Sequence, residues 1–148
     1  MQALICGVEN LEFAISLQLV HKVIPPVKLK PILNAPISVA GSFLYQGKSI
    51  PVIDLSGLLY NKATKIKLSS RILLYKYDLE GNLVGVLSQS VVETLSFEQH
   101  ELKAEGYYDA ANRYLGKILI RGNRTIGYIE LKEILTPELK SSLFTVTE

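Results

Sequence analysis

Residues 41–59 read GSFLYQGKSIPVIDLSGLL, and residues 116–135 read GKILIRGNRTIGYIELKEIL. Gly41 and Gly47 match Gly116 and Gly122 at equal spacing. Each copy then runs through Ile50 or Ile126 into a strand of branched residues. Each strand ends at an acid and a leucine, Asp54-Leu55 or Glu130-Leu131, followed by Leu58-Leu59 or Ile134-Leu135. The second copy has one extra residue just after its turn. A strand–turn–strand–helix unit used twice implies two lobes built alike. The pair of stretches therefore describes a scaffold before it describes a site.

Working outward, the first copy is preceded by segments of strand character. Leu11, Phe13 and Ile15 alternate with Glu12, Ala14 and Ser16, the period of a half-buried strand. Gly7-Val8-Glu9-Asn10 carries turn residues between this segment and residues 2–6. Ser16 is placed to cap a short helix through Leu17–Val20. Val23-Ile24 is stopped by Pro25-Pro26, and residues 27–36 are expected to be extended or looped. Pro51 lacks an amide donor, so the return strand of the first copy is expected at an edge or a bulge. Asp54 is placed to cap a short helix from Leu55, and Asn61–Leu68 reads as a polar linker.

Beyond the linker, Arg71–Tyr77, Leu83–Leu87 and Val91–Leu95 read as strands, with Gly81 in the first intervening turn. Residues 96–111 are polar and read as a loop with a helical turn. Within it, Tyr107-Tyr108 suits either packing under the loop or contact with a partner. Thr136-Pro137-Glu138 carries the hydroxyl cap, first-position proline and acid of a helix start. Leu139, Leu143 and Phe144 would share one face of that helix. The fold class expected is mostly β, with brief helices, in two barrel-like lobes. One domain is expected over residues 1–135, with lobe halves at 1–60 and 70–135 and a linker at 61–69. A C-terminal helix and tail would occupy residues 136–148.

The chain has 148 residues, the size of one ordinary domain. At this length roughly 70% of the unfolded surface can be buried, so no metal or disulfide is needed as a staple. Hydrophobic residues make up 48% and charged residues 20%, a folded profile without membrane character. No apolar run approaches the roughly 18 residues of a membrane helix, and MQALICGVENLEF does not read as a signal peptide. The cytoplasm is the default compartment. Cys6 is alone and cannot form an internal disulfide; with only His21 and His100 it makes no zinc set. Net charge is +2, too small to imply a polyanion partner. Lys62, Lys65, Lys67 and Arg71 form an acid-free stretch, but no aromatics interleave them as single-strand binders require.

Motifs of catalysis are absent from the sequence. Neither histidine sits in a recognised catalytic spacing, and Ser88 and Ser90 have no glycine elbow. No phosphate-binding glycine loop occurs. Asp54 and Glu130 resemble a carboxylate pair for acid–base work, yet their repeat positions make them two helix caps on separate lobes. The expectation is a protein without enzymatic activity and without a cofactor.

The segment Gly41–Leu55 resembles the signature of CheW-like proteins, the coupling scaffolds of bacterial chemosensory arrays. That pattern is glycine, an apolar pair, Asn-x-Arg-Gly, then a strand ending Pro-Val-x-Asp-Leu. Asn34-Ala35-Pro36, Ile72–Tyr75, Leu83–Leu87 and Tyr114-Leu115-Gly116 agree with it in order and spacing. The resemblance spans roughly residues 2 to 135. It implies two five-stranded, SH3-like barrels on a shared core, with no catalytic activity. It implies two partners: the regulatory domain of a CheA-type histidine kinase, and the cytoplasmic tips of chemoreceptors, held in a groove between the lobes. It implies neither nucleic-acid binding nor direct membrane insertion. By the same resemblance the partner surface falls on Val20, Lys22, Val23, Gln46, Gly47 and Lys48.

This chain departs from the pattern at telling places. Leu44 and Gln46 replace the family's Asn and Arg, and Lys22 replaces its glutamate. That glutamate and arginine can pair in the family. Changing both avoids leaving one partly buried charge alone. Lys22 and Gln46 are therefore expected to lie close together on a specialised surface. Ser88-Gln89-Ser90-Val91 stands where the family has Val-Asp-x-Val. Gly-x-Phe-x-Tyr-x-Gly, Leu-Ser-Ser-Arg and the closing Leu-Lys-Ser-Ser-Leu-Phe look most like accessory couplers of alternative chemosensory pathways, including surface-sensing (Wsp-type) systems. The leading expectation is an adaptor between receptor and kinase. The alternatives are a receptor binder that does not engage the kinase and a small-barrel nucleic-acid module.

Overall fold

The computed structural model describes residues 1–104, 117–135, 139, 140 and 143. Eleven strands are found among these residues. They are β1 (Gln2–Val8), β2 (Leu11–Ser16), β3 (Val20–Ile24), β4 (Val39–Tyr45), β5 (Lys48–Asp54), β6 (Arg71–Lys76), β7 (Leu83–Ser88), β8 (Ser90–Ser96), β9 (Leu102–Lys103), β10 (Lys117–Arg121) and β11 (Arg124–Ile129). Two short helices, α1 (Leu55–Tyr60) and α2 (Leu131–Ile134), follow the two copies of the repeated unit. The mostly β, two-lobed expectation holds.

The lobes are not the two halves of the chain. One sheet has the order β8-β1-β2-β11-β10-β9 and the other β3-β6-β7-β5-β4. Residues 61–69 separate the two halves of the chain, but each half sends a two-stranded hairpin into the other's sheet, β1-β2 in one direction and β6-β7 in the other. β2 ends at Ser16 and the chain crosses to β3; β7 ends at Ser88 and the chain crosses back to β8. The two halves of the chain have exchanged a hairpin. In each sheet, a hairpin's return strand lies parallel to the second strand of another hairpin: β5 beside β7, β11 beside β2.

Strand alternation explains why this arrangement closes. Ala3 and Ile5 of β1 enter the interior of the first lobe, while Leu4, Cys6 and Val8 face the core shared between lobes. In β6, Ile72 and Leu74 fill the second lobe and Leu73 and Tyr75 face the shared core. Successive side chains point to opposite faces, so a strand between two cores must be apolar on both. Leu139 and Leu143, one helical turn apart, are buried in the shared core as one face of a last helix. Thr136-Pro137-Glu138 and Phe144 lie outside the described residues, as do Tyr107-Tyr108 and Tyr114–Gly116.

Four local expectations are corrected. Leu17–Val20 is a turn, not a helix, with the Val20 amide on the Leu17 carbonyl (3.1 Å) as the chain changes sheets. β5 is an interior strand, despite Pro51. Pro51 lies opposite Ser42, whose own N–H and C=O both bond Lys30, and the β7 register begins only at Val52. The missing donor therefore falls where no ladder bond is due. Glu130 makes no capping bond; its carboxylate accepts instead from the Tyr128 hydroxyl at 2.7 Å. Finally, the glycines that align in sequence are one position apart in register. Gly47 is the second central residue of its two-residue turn and Gly122 the first, so the two turns are equal in length and Asn123, not Gly122, is the counterpart of Gly47.

Candidate partner-binding surface

Val20, Lys22 and Val23 lie on β3, and Gln46, Gly47 and Lys48 form the β4–β5 turn and the start of β5. The turn is tight because Tyr45 pairs directly with Lys48. Gln46 and Gly47 both have positive φ, 51° and 80°, the geometry whose twist matches a hairpin. Glycine accommodates this freely, whereas Gln46 holds a backbone conformation uncommon for its type. Gln46, Gly47 and Lys48 are all exposed.

β3 and β4 are opposite edges of their sheet, yet the sheet curls and brings them together. The His21 and Tyr45 rings meet edge to face with centroids 6.4 Å apart, and Phe43 stands edge-on to Tyr45 at 6.3 Å. An open depression of about 180 Å³ lies at this seam. His21, Tyr45, Gln46, Lys48, Lys76 and Leu83 line it. Leu44, 77% exposed, stands on the strand beside the turn.

β3 and the β4–β5 hairpin meet through His21 and Tyr45. Lys22 and Gln46 make no hydrogen bond with each other among the described residues. A bulge between Val20 and Lys22 inserts His21 as an extra residue opposite β6. No local sequence signal marks that bulge, and in the sequence His21 is only an imidazole without catalytic neighbours.

The other candidate groups have structural work. Asp54 is buried and accepts from the Gly57 amide at 3.1 Å and the Thr64 amide at 2.9 Å. It caps α1 and holds the start of the 61–69 segment. Arg71 turns its guanidinium onto the Leu68 and Ser70 carbonyls, at 2.7 and 2.6 Å, rather than outward with Lys62 and Lys65. Ser88 and Ser90 mark the second crossover, with the Ser88 hydroxyl donating to the Ser90 carbonyl at 2.9 Å. Burial pushes the Cys6 thiol up to about 12. Tyr128 is also pushed up to about 12, by burial first and then by its bond to Glu130. Both stay protonated near neutrality. Among the described residues, no set of three or more His, Cys, Asp or Glu side chains is placed to hold a metal ion, and no helix is long and apolar enough to cross a membrane.

The molecule is thus two small barrels that exchange hairpins, with an open seam of cations and aromatic edges on the second. The chain belongs to the CheW-like domain family, whose model matches residues 2–138. Its fold is similar to that in the crystal structure of the scaffolding protein TtCheW from Thermoanaerobacter tengcongensis, with a TM-score of 0.80 at 19% identity. That similarity covers 93% of this chain and 89% of the other. No curated protein matches the chain.

Proposed function

We propose that this protein is a non-enzymatic adaptor that couples chemoreceptors to a CheA-type histidine kinase in a bacterial chemosensory complex. The observation that carries this reading is the family match across residues 2–138. The surface reaching the partners is the seam of the second lobe: Val20, Lys22 and Val23 on β3, with Gln46, Gly47 and Lys48 at the β4–β5 turn. The role is mechanical and belongs in the cytoplasm. A receptor's conformational bias passes to the kinase through protein contacts, with no chemistry in the adaptor. The strand exchange suits this role, because the two lobes share one core and a load on one is felt by the other.

One observation favours a second reading, in which the chain joins receptors without engaging the kinase. Lys22 and Gln46 stand where the family has glutamate and arginine, so the rim's charge is altered where the kinase would dock. The nucleic-acid alternative gains no support, since Arg71 spends its donors on its own loop.

The test is co-elution of the full chain with the regulatory domain of the cognate kinase, then with a receptor-tip fragment. Binding of both is expected. Binding of the receptor fragment alone favours the second reading, and binding of neither folded partner overturns both.

A further inference from the structure

Apart from β9, the two sheets carry equivalent strands in the same order, so paired positions in one have counterparts in the other. In the first lobe a row of paired residues runs Glu93–Ile5–Ala14–Tyr128. In the second it runs Lys22–Leu74–Gly85–Val52. Both rows have the same bulge beside them, after Val91 in one and after Val20 in the other. Lys22 is thus the counterpart of Glu93. By the same register Lys48 is the counterpart of Arg124, and Leu83 of Glu12.

The first lobe closes its rim with its own charges. Arg124 donates to both oxygens of Glu12, at 3.0 and 2.9 Å, and to Glu93 at 2.6 Å. In the second lobe the cation is kept as Lys48, but both carboxylates are gone. One has become Leu83 and the other a second cation, Lys22. Lys76 adds a third beside Lys48 in the same depression. Among the described residues none of these three lysines has an ion-pair partner. Asp78 and Glu80 are the acids nearest Lys76 along the chain. Asp78 is engaged by the Asn82 amide and side chain at 2.9 and 2.7 Å, and among the described residues neither acid bridges to a lysine.

We infer that the second-lobe rim receives a carboxylate-bearing segment of a partner protein. That segment supplies in trans the two acids that the first lobe supplies from Glu12 and Glu93. The partner's acids sit between Lys22 and Lys48, with the exposed Leu44 giving an apolar contact at the margin. This deepens the adaptor reading and rests on it: the rim is the docking surface, and its charge defines what docks. Opposite charges at such a rim set partner choice and encounter rate more than raw affinity.

The experiment measures binding of the cognate kinase's regulatory domain and of a receptor-tip fragment to the full chain. Three variants are compared with the parent: Lys22→Glu with Lys48→Glu, Lys22→Arg with Lys48→Arg, and Lys62→Glu with Lys65→Glu. All these lysines are exposed, and unchanged melting confirms the fold. The first variant is expected to weaken one of the two complexes by about ten-fold or more, the size expected for reversing docking charges. The arginine variant is expected to keep binding, and the linker variant, with the same net charge as the first, to bind as the parent does. Parent binding that the first variant leaves intact overturns this inference while the adaptor reading stands. Equal weakening by the linker variant also overturns it, because net charge alone would then be responsible. No parent binding to either protein overturns both.

Discussion

Thr64 donates its backbone amide to the carboxylate of Asp54 at 2.9 Å, and its hydroxyl bonds the same group. The acid that ends β5 thus caps α1 and also anchors the segment leaving it. Asp54→Ala would leave the Gly57 and Thr64 amides without their acceptor. A loss of about 2 kcal/mol is expected, the upper range for a helix cap. Thr64→Val removes only the hydroxyl and is expected to cost about 1 kcal/mol. Urea unfolding measures both; equal losses would contradict the shared role of the carboxylate.

Gly57 lies within α1, where alanine normally stabilises by about 1 kcal/mol. Here the opposite sign is expected. A Cβ at Gly57 would overlap the Ile37 carbonyl oxygen and stand 2.9 Å from its carbon. Backbone cannot move aside as a side chain can, so Gly57→Ala is expected to destabilise by about 2 kcal/mol or more. A raised melting temperature would contradict the close packing of α1 on the 37–38 segment.

Cys6 is fully buried in the shared core. Its thiol is raised from 9.0 to about 12, chiefly by burial. The native state therefore keeps a proton that the unfolded chain loses above pH 9.0, so this group makes stability fall as pH rises from 9.0 towards 12. Labelling by a thiol reagent at about pH 8 is expected only on unfolding, because the thiolate is the nucleophile. Rapid labelling of the native protein would contradict the burial.

Arg124 joins Glu12 and Glu93 on a partly exposed rim. A double-mutant cycle of Arg124→Gln and Glu93→Gln is expected to give a favourable coupling that shrinks as salt rises to about 1 M. A coupling unchanged by salt would contradict an ion pair open to solvent.

Much of this fold is legible residue by residue. The alternation of Leu11, Phe13 and Ile15 marks β2, and the spacing from β5 to Asp54 marks the cap. The strand exchange is not legible, because alternation reports which faces are buried and not which sheet a strand joins. Val20–Ile24 looks the same whether it pairs in one lobe or the other. Glu130 misleads for a local reason: Tyr128, two residues upstream on the same face, takes its carboxylate before the helix amides can. Of the surface, the turn at Gln46-Gly47 is readable from its glycine. The place of His21 depends on a bulge set by pairing with β6 and has no sequence mark.

The most direct test of the coupling account is the autophosphorylation rate of the cognate kinase with receptor-containing vesicles, with and without this chain. The account predicts receptor-dependent control of the rate only when the chain is present. It also predicts that Lys22→Glu with Lys48→Glu reduces that control. A rate indifferent to the chain, with all three components folded and mixed, would contradict it.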